Sequence, residues 1–283
     1  MNKKILLLVA LTSLLAFSCR KEIDPRKNEP YITNPTSYVL KHQTWTGPTT
    51  NGGSFLYIYN PDHLVSKIER YQWGTYSTNG GPWQMWHDTS YYSFEYTNGL
   101  CTKWEIDEGG SQAYIVYEYN EKKLPVKRTI YYSDHTVQSY DFYKYDNANN
   151  LIEKTDSTNK VDFRYVFTYN SSNNLTSATE NILWSNPQQK IKHEWLAFDD
   201  KVNFIKAVNG LPSTAAFDNN YHSYSSSSPN NFTAENYYTP VNMDQPFGPP
   251  TYYNYSYEYN NEGLPTKMKY GPWIVILEYE KYK

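Results

Sequence analysis

Tyr143-Lys144-Tyr145-Asp146-Asn147-Ala148-Asn149-Asn150-Leu151-Ile152-Glu153-Lys154 reads as a β-hairpin. Two aromatic residues two apart end one strand. A cluster of Asp and Asn that tolerates positive φ makes the turn, and an aliphatic residue three positions before a lysine opens the next strand. The same device recurs along the chain. Phe55/Tyr57/Tyr59 runs through Asn60-Pro61-Asp62 to Leu64 and Lys67, and Tyr92/Phe94/Tyr96 through Asn98-Gly99 to Leu100 and Lys103. Ile115/Tyr117/Tyr119 leads through Asn120 to Leu124 and Lys127, and Tyr165/Phe167/Tyr169 through Asn170 and Asn173-Asn174 to Leu175. A weaker copy joins Leu196/Phe198-Asp199-Asp200 to Phe204, and the last joins Tyr255/Tyr257/Tyr259 through Asn260 and Gly263 to Leu264 and Lys267.

Residues two apart on a strand share a face, so each copy sets a row of rings on one side and Ser, Glu, Lys or Thr on the other. One buried face and one wet face define an antiparallel sheet. The spacing predicts an all-β chain of about 14 to 16 strands in a meander of repeated hairpins, forming a large, strongly curved sheet or a barrel-like structure. Composition agrees: 31 Tyr, 8 Trp and 11 Phe make the chain 18% aromatic, which suits strands better than helices. Three stretches break the pattern. Trp73 to Asp88 reads as a long hairpin or loop; Lys201 to Phe232 and Pro240 to Pro250 read as loops. Trp273 to Tyr279 is apolar on both sides and reads as a covered interior strand.

Met1 to Cys19 has a basic start at Lys3 and Lys4, then an apolar run from Ile5 to Phe17 too short to span a bilayer comfortably. Leu15-Ala16-Phe17-Ser18-Cys19 resembles a bacterial lipobox, which makes residues 1–18 a lipoprotein signal peptide and Cys19 the lipidated residue. An ordinary cleaved signal with Cys19 incidental is the alternative. Residues 19–36 carry charges and Pro25, Pro30 and Pro35 without apolar periodicity, and read as a tether. Residues 37–283 form a single β-repeat domain. Lys21-Glu22-Ile23-Asp24 is similar to export signals of surface lipoproteins, so the expected place is the outer membrane, facing periplasm or cell surface, held through the lipid at Cys19. With Cys19 acylated, Cys101 has no disulfide partner and reads as a small buried side chain. The formal net charge of −3 becomes −5 once Lys3 and Lys4 leave with the signal. No basic block remains, which argues against nucleic acid.

The Tyr-x-Tyr-Asp/Asn…Leu…Lys unit resembles the YD repeat of Rhs-type proteins in minimal form. The lipoprotein start, the repeats and the chain end resemble more closely a family of Bacteroidetes lipoproteins with a porin-like β fold. The similar segments are Phe198-Asp199-Asp200-Lys201-Val202-Asn203-Phe204, Ser228-Pro229-Asn230-Asn231, and Tyr257-Glu258-Tyr259-Asn260-Asn261-Glu262-Gly263-Leu264-Pro265. Phe204 stands where that family often has Pro. The resemblance implies a fold and no activity.

Chemistry is sparse. The 6 His residues (42, 63, 87, 135, 193 and 222) form no pair at ligand spacing and read as surface or turn residues. No cofactor or metal motif occurs. The Asp146 turn has calcium-like oxygens, but Ala148 stands at a ligand position and the closing Glu is missing. Trp73, Trp83 and Trp86 are the candidate ligand-binding residues, since rings exposed on loops stack on sugars or dock a protein partner. The expected function is therefore a non-catalytic envelope lipoprotein, a binding or structural scaffold for a glycan or envelope protein. The alternative is a secreted glycan-acting hydrolase using acids such as Glu105 and Asp107, with Glu108 beside them.

Overall fold

The structure, a computed structural model, describes residues 38–48, 51–77, 83–108, 111–157, 161–208, 210–211 and 228–281. The signal peptide, Cys19, the tether, and the Asn79-Gly80-Gly81-Pro82 tip lie outside them. The strands are β1 (Tyr38–Thr46), β2 (Gly52–Tyr59), β3 (Val65–Tyr76), β4 (Gln84–Thr97), β5 (Leu100–Glu108), β6 (Ser111–Tyr119), β7 (Pro125–Tyr132) and β8 (Val137–Tyr145). They continue as β9 (Leu151–Ser157), β10 (Val161–Tyr169), β11 (Leu175–Ile182), β12 (Gln189–Val202), β13 (Asn230–Asn242), β14 (Thr251–Tyr259), β15 (Pro265–Tyr270) and β16 (Trp273–Lys281). Each pairs antiparallel with its sequence neighbours, and β1 pairs with β16, so the meander closes as a barrel. Closure leaves no free sheet edge.

One end is built from the repeat turns. Asn60, Asp146, Asn170 and Asn260 each accept, on Oδ1, backbone N–H bonds from the residues two and four further on, at 2.8–3.1 Å. The fourth turn residue then takes positive φ: His63, Lys123, Asn149, Asn173 and Gly263 lie between 60° and 76°. An Asx side chain closing its own turn explains why these positions are Asn or Asp, with no ion required. The Asp146 turn is one of this set.

The structural register corrects two sequence copies. The turn bonds place Asn150 and Asn174, not Leu151 and Leu175, at the position of Leu64, Leu124 and Leu264. The cross-strand pair Glu118↔Lys127 therefore corresponds to Lys144↔Glu153, with the charges exchanged. Lys154 falls one residue further along. A one-residue slip reverses the face of a strand residue, and Lys154 points inward, only 5% exposed.

The ring rows point inward, as the alternation predicts. Tyr57, Tyr92, Phe94, Trp104, Tyr117, Tyr143, Phe167 and Tyr255 are buried in one core with Leu40, Val65, Leu175 and Leu277. Cys101 joins them at 1% exposure, and burial pushes its thiol up to about 12. The second tyrosine of each row has a further task. Beyond the turn, each returning strand holds one extra residue: the register jumps between Ile58/Tyr59, Glu95/Tyr96, Glu118/Tyr119, Lys144/Tyr145, Thr168/Tyr169 and Glu258/Tyr259. Such a bulge interrupts the ladder. The carbonyl just before the extra residue accepts a tyrosine hydroxyl from the next strand: Tyr96 to Val65 at 2.6 Å, Tyr119 to Cys101 at 2.6 Å, Tyr145 to Pro125 at 2.7 Å, Tyr169 to Leu151 at 2.9 Å and Tyr279 to Pro265 at 2.8 Å. The β16–β1 seam repeats the pattern. Lys41 is the extra residue there, and Tyr59 donates to the Leu40 carbonyl at 2.7 Å. Tyrosine replaces phenylalanine at these sites because a buried carbonyl needs a donor.

The weaker copy departs most. Instead of turning after Phe198, β12 continues to Val202, and a 3-10 helix (Phe204–Ala207) follows. Phe198–Phe204, Ser228–Asn231 and Tyr259 meet here as a polar corner. Asp199 accepts from the Asn231 side chain at 3.1 Å, Asn231 accepts from the Phe204 N–H at 3.2 Å, and Asn203 caps the 3-10 helix at Ile205. Phe204 and Val208 are buried, and Gly210 lies against Leu64 and Tyr96, so this segment fills the turn end of the barrel. The Trp73–Asp88 stretch is a long hairpin, one of its two expected forms, with the ladder pairing as far as Tyr76↔Gln84. Two expectations need correction. Pro240 lies within β13, at a register irregularity where a missing N–H costs no ladder bond. β16 is paired on both sides but not covered outside, since Ile276 is 38% exposed.

Candidate functional site

The end opposite the repeat turns carries the remaining chemistry. Strand parity sorts the tryptophans onto different surfaces. Trp86 pairs with Gly74 and shares the inward face of Tyr92 and Phe94. A Cβ at Gly74 would lie 2.6 Å from the Trp86 indole nitrogen, so the absence of one lets the ring lie against the wall. Trp73 faces outward, packed over Gly52, its ring 5.6 Å from Tyr71. Trp83 precedes β4 and is 73% exposed. The three do not converge: a sequence cluster becomes one inner ring, one outer ring and one at the hairpin end.

Glu105 and Asp107 both face outward on β5, opposite Ser93 and Tyr91. Glu105 holds Lys103 at 2.6 Å in an exposed ion pair. Two acids on one strand face do not flank a groove, which is what paired-carboxylate hydrolysis needs. Glu108 turns inward, where it accepts from the Tyr92 hydroxyl at 2.8 Å and lies 3.5 Å from Arg70.

A polar ribbon crosses the inner wall between the aromatic core and the open end. Arg128 on β7 and Lys154 on β9 clasp Asp141 on β8, which is fully buried. Asp156 stands directly opposite Asp141, and its carboxyl is raised to about 6, first by burial and then by that neighbouring charge. Glu180 on β11 accepts from the Tyr165 hydroxyl at 3.2 Å and is raised by burial. On β12 and β13, His193 bonds Glu235 at 2.5 Å, and Glu235 also accepts from Tyr255 at 2.5 Å. His193 thus corrects the expectation of a surface residue. Its carboxylate partner comes from the next strand, while neighbouring Glu194 faces outward to Lys192 and Tyr238. Sequence reasoning missed this ribbon because its members change in kind from strand to strand, although Arg128, Asp141, Lys154, Glu180 and His193 recur at multiples of 13 residues. Among the described residues, no group of three His, Cys, Asp or Glu side chains is arranged to hold a metal.

The fold is similar to that of a porin-like protein from Bacteroides uniformis ATCC 8492, over 88% of this chain and 100% of that one, at 13% identity and a TM-score of 0.57. Two toxin assemblies match more loosely. TcdB2-TccC3 without its hypervariable C-terminal region is matched over 77% of this chain and 10% of that one at TM-score 0.31. The Photorhabdus luminescens Tc holotoxin pore is matched over 79% and 11% at TM-score 0.22. Identity is 13% in both. No family model and no curated protein matches the chain. At such identity the first likeness speaks for a shared barrel and leaves function to the site.

Proposed function

We propose that this chain is a non-catalytic lipoprotein of the cell envelope, lipidated at Cys19, whose barrel stands in water on its tether and serves as a scaffold for binding a glycan or an envelope protein. The distribution of charge on the wall carries the reading. A barrel that spans a bilayer turns an apolar band about 25 Å tall toward lipid and keeps polar groups inside. Here the outward cross-strand positions hold Lys103 with Glu95, Lys127 with Glu118, Lys144 with Glu153 and Lys267 with Glu258, at 2.5–3.2 Å. The inward positions hold a packed aromatic core. Outward Ile152 and Leu196 are exposed between such charges, while outward rings gather in pairs, Tyr140 with Phe142 and Tyr114 with Tyr131. With lipid contact disfavoured outside and the turn end of the lumen packed, display of a surface is what the barrel retains. Exposed Trp83 and half-exposed Trp86 at the open end are the first contacts to expect.

A palmitate analogue should label the wild type and not Cys19→Ala. The unlabelled variant should be recovered without detergent from the soluble fraction. A Cys19→Ala chain that resists carbonate extraction from membranes would show that the barrel itself enters the bilayer.

A further inference from the structure

The outer wall beside the β16–β1 seam holds a groove of about 460 Å³, lined by Lys41, His42, Ser54, Leu56, Glu69, Tyr71, Thr89 and Glu278. Its shape follows from register. The extra residue Lys41 in β1 turns two successive side chains outward, with Lys41 bound to Glu280 at 3.1 Å and His42 3.7 Å from Glu278. Two strands on, Ser54, Tyr71 and Thr89 stand in one cross-strand row. The small residues flank the ring and leave it 41% exposed. The next row adds Gly52, Trp73 and His87, and the Tyr71 ring lies 5.6 Å from Trp73 and 6.3 Å from His87. The result is a hollow with an aromatic platform at its edge and hydrogen-bonding groups around it.

From this we infer that the groove is a saccharide site, taking a neutral oligosaccharide whose sugar faces stack on Tyr71 and Trp73 while Glu69, Glu278, Ser54 and Thr89 bond its hydroxyls. The inference rests on the reading of the chain as a binding scaffold and gives that scaffold a ligand class. Charge selects the neutral ligand. Glu69 is paired with Lys67 at 2.8 Å and Lys41 with Glu280, and the further lining carboxylate, Glu278, lies 3.7 Å from His42, so the lining carries no block of one sign to attract an ionic polymer. Glu69, already oriented by Lys67, can accept a pair of sugar hydroxyls with little further ordering cost. An exposed ring offers the apolar face on which sugar C–H groups gain from leaving water.

Calorimetry of the full chain with the hexasaccharides of glucose, mannose, xylose and N-acetylglucosamine tests this. At least one should bind. Tyr71→Ala should weaken it about tenfold, the contribution of one stacked ring. Thr89→Trp, which fills the hollow from an exposed position without touching the core, should do the same. Lys127→Ala, on the outer wall of β7 away from the groove, should leave the affinity unchanged, and circular dichroism should match the wild type for all three variants. The inference is overturned if none of the four binds, if only polyanionic or polycationic glycans bind, or if binding survives both groove substitutions. Loss on Trp83→Ala alone would also overturn it by moving the site to the open end. None of these results alters the fractionation of Cys19→Ala, on which the scaffold reading stands or falls.

Discussion

Replacing Tyr96 by Phe removes one oxygen and keeps the ring. The hydroxyl donates to the Val65 carbonyl at 2.6 Å, and Val65 is fully buried beside the extra residue of its bulge. Burial also raises the phenol above its ordinary pKa, so the donor proton is present at all working pH values. Without it a buried acceptor loses its partner, a cost of about 1–3 kcal/mol. For a domain of this size that corresponds to a Tm lowered by about 2–12 °C, with the denaturant m value unchanged. Tyr279→Phe, which strips the Pro265 carbonyl, should behave alike. Tyr96 and Tyr145 use different acceptors on strands four apart. Their two losses should therefore add to about 2–6 kcal/mol, a large share of the 5–15 kcal/mol by which domains are stable. As a control, Lys127→Ala breaks the outer pair with Glu118 at 2.7 Å and should cost less than about 1 kcal/mol. Urea titrations followed by near-ultraviolet circular dichroism separate these cases. Phe variants as stable as the wild type would mean that the hydroxyls do not support the bulges, and that the tyrosines serve only as rings.

The inner ribbon makes two further predictions. Because the folded state raises Asp156 to about 6 from an ordinary value near 3.9, folding favours its protonated form; that contribution is complete below about pH 4 and is lost as pH rises through 6. Asp156→Asn should therefore raise Tm above pH 7 and leave it nearly unchanged at pH 4, and a gain confined to acid would reverse the assignment. Asp141→Ala removes the buried carboxylate that Arg128 and Lys154 share and should cost about 3–5 kcal/mol in urea unfolding, whereas an effect under 1 kcal/mol would mean that other groups or water compensate both cations.

How much of this was legible in the sequence follows from which interactions are local. The hairpin turns were readable because an Asn or Asp closes its own turn within four residues, and the ring rows because alternation is a property of one strand. Closure was not readable. Tyr38↔Lys281 pairs the two ends of the described chain, and nothing in either segment names the other. The face of Lys154 was missed for a smaller reason. Counting from a leucine to a lysine put it in line with Lys127, but the turn bonds count from Asp146 to Asn150, and the shift of one residue exchanges surface for interior.

The tryptophans show the same limit in the candidate site. Trp73 and Trp86 look like one cluster because they flank one hairpin tip. Yet Trp73 pairs with His87 and Trp86 with Gly74, adjacent rungs of the same ladder, and adjacent rungs face opposite ways. Proximity in sequence thus guarantees that these two rings cannot share a ligand through the wall. Only the neighbours supplied by other strands distinguish their surroundings. For Trp86 these lie on the inner face, while Trp73 lies over Gly52 of β2, beside a Tyr71 ring that edges the groove lined from β16, β1, β2, β3 and β4. The groove at the edge of that ring pair draws on residues far apart in sequence, from Lys41 to Glu278, which no single segment could announce.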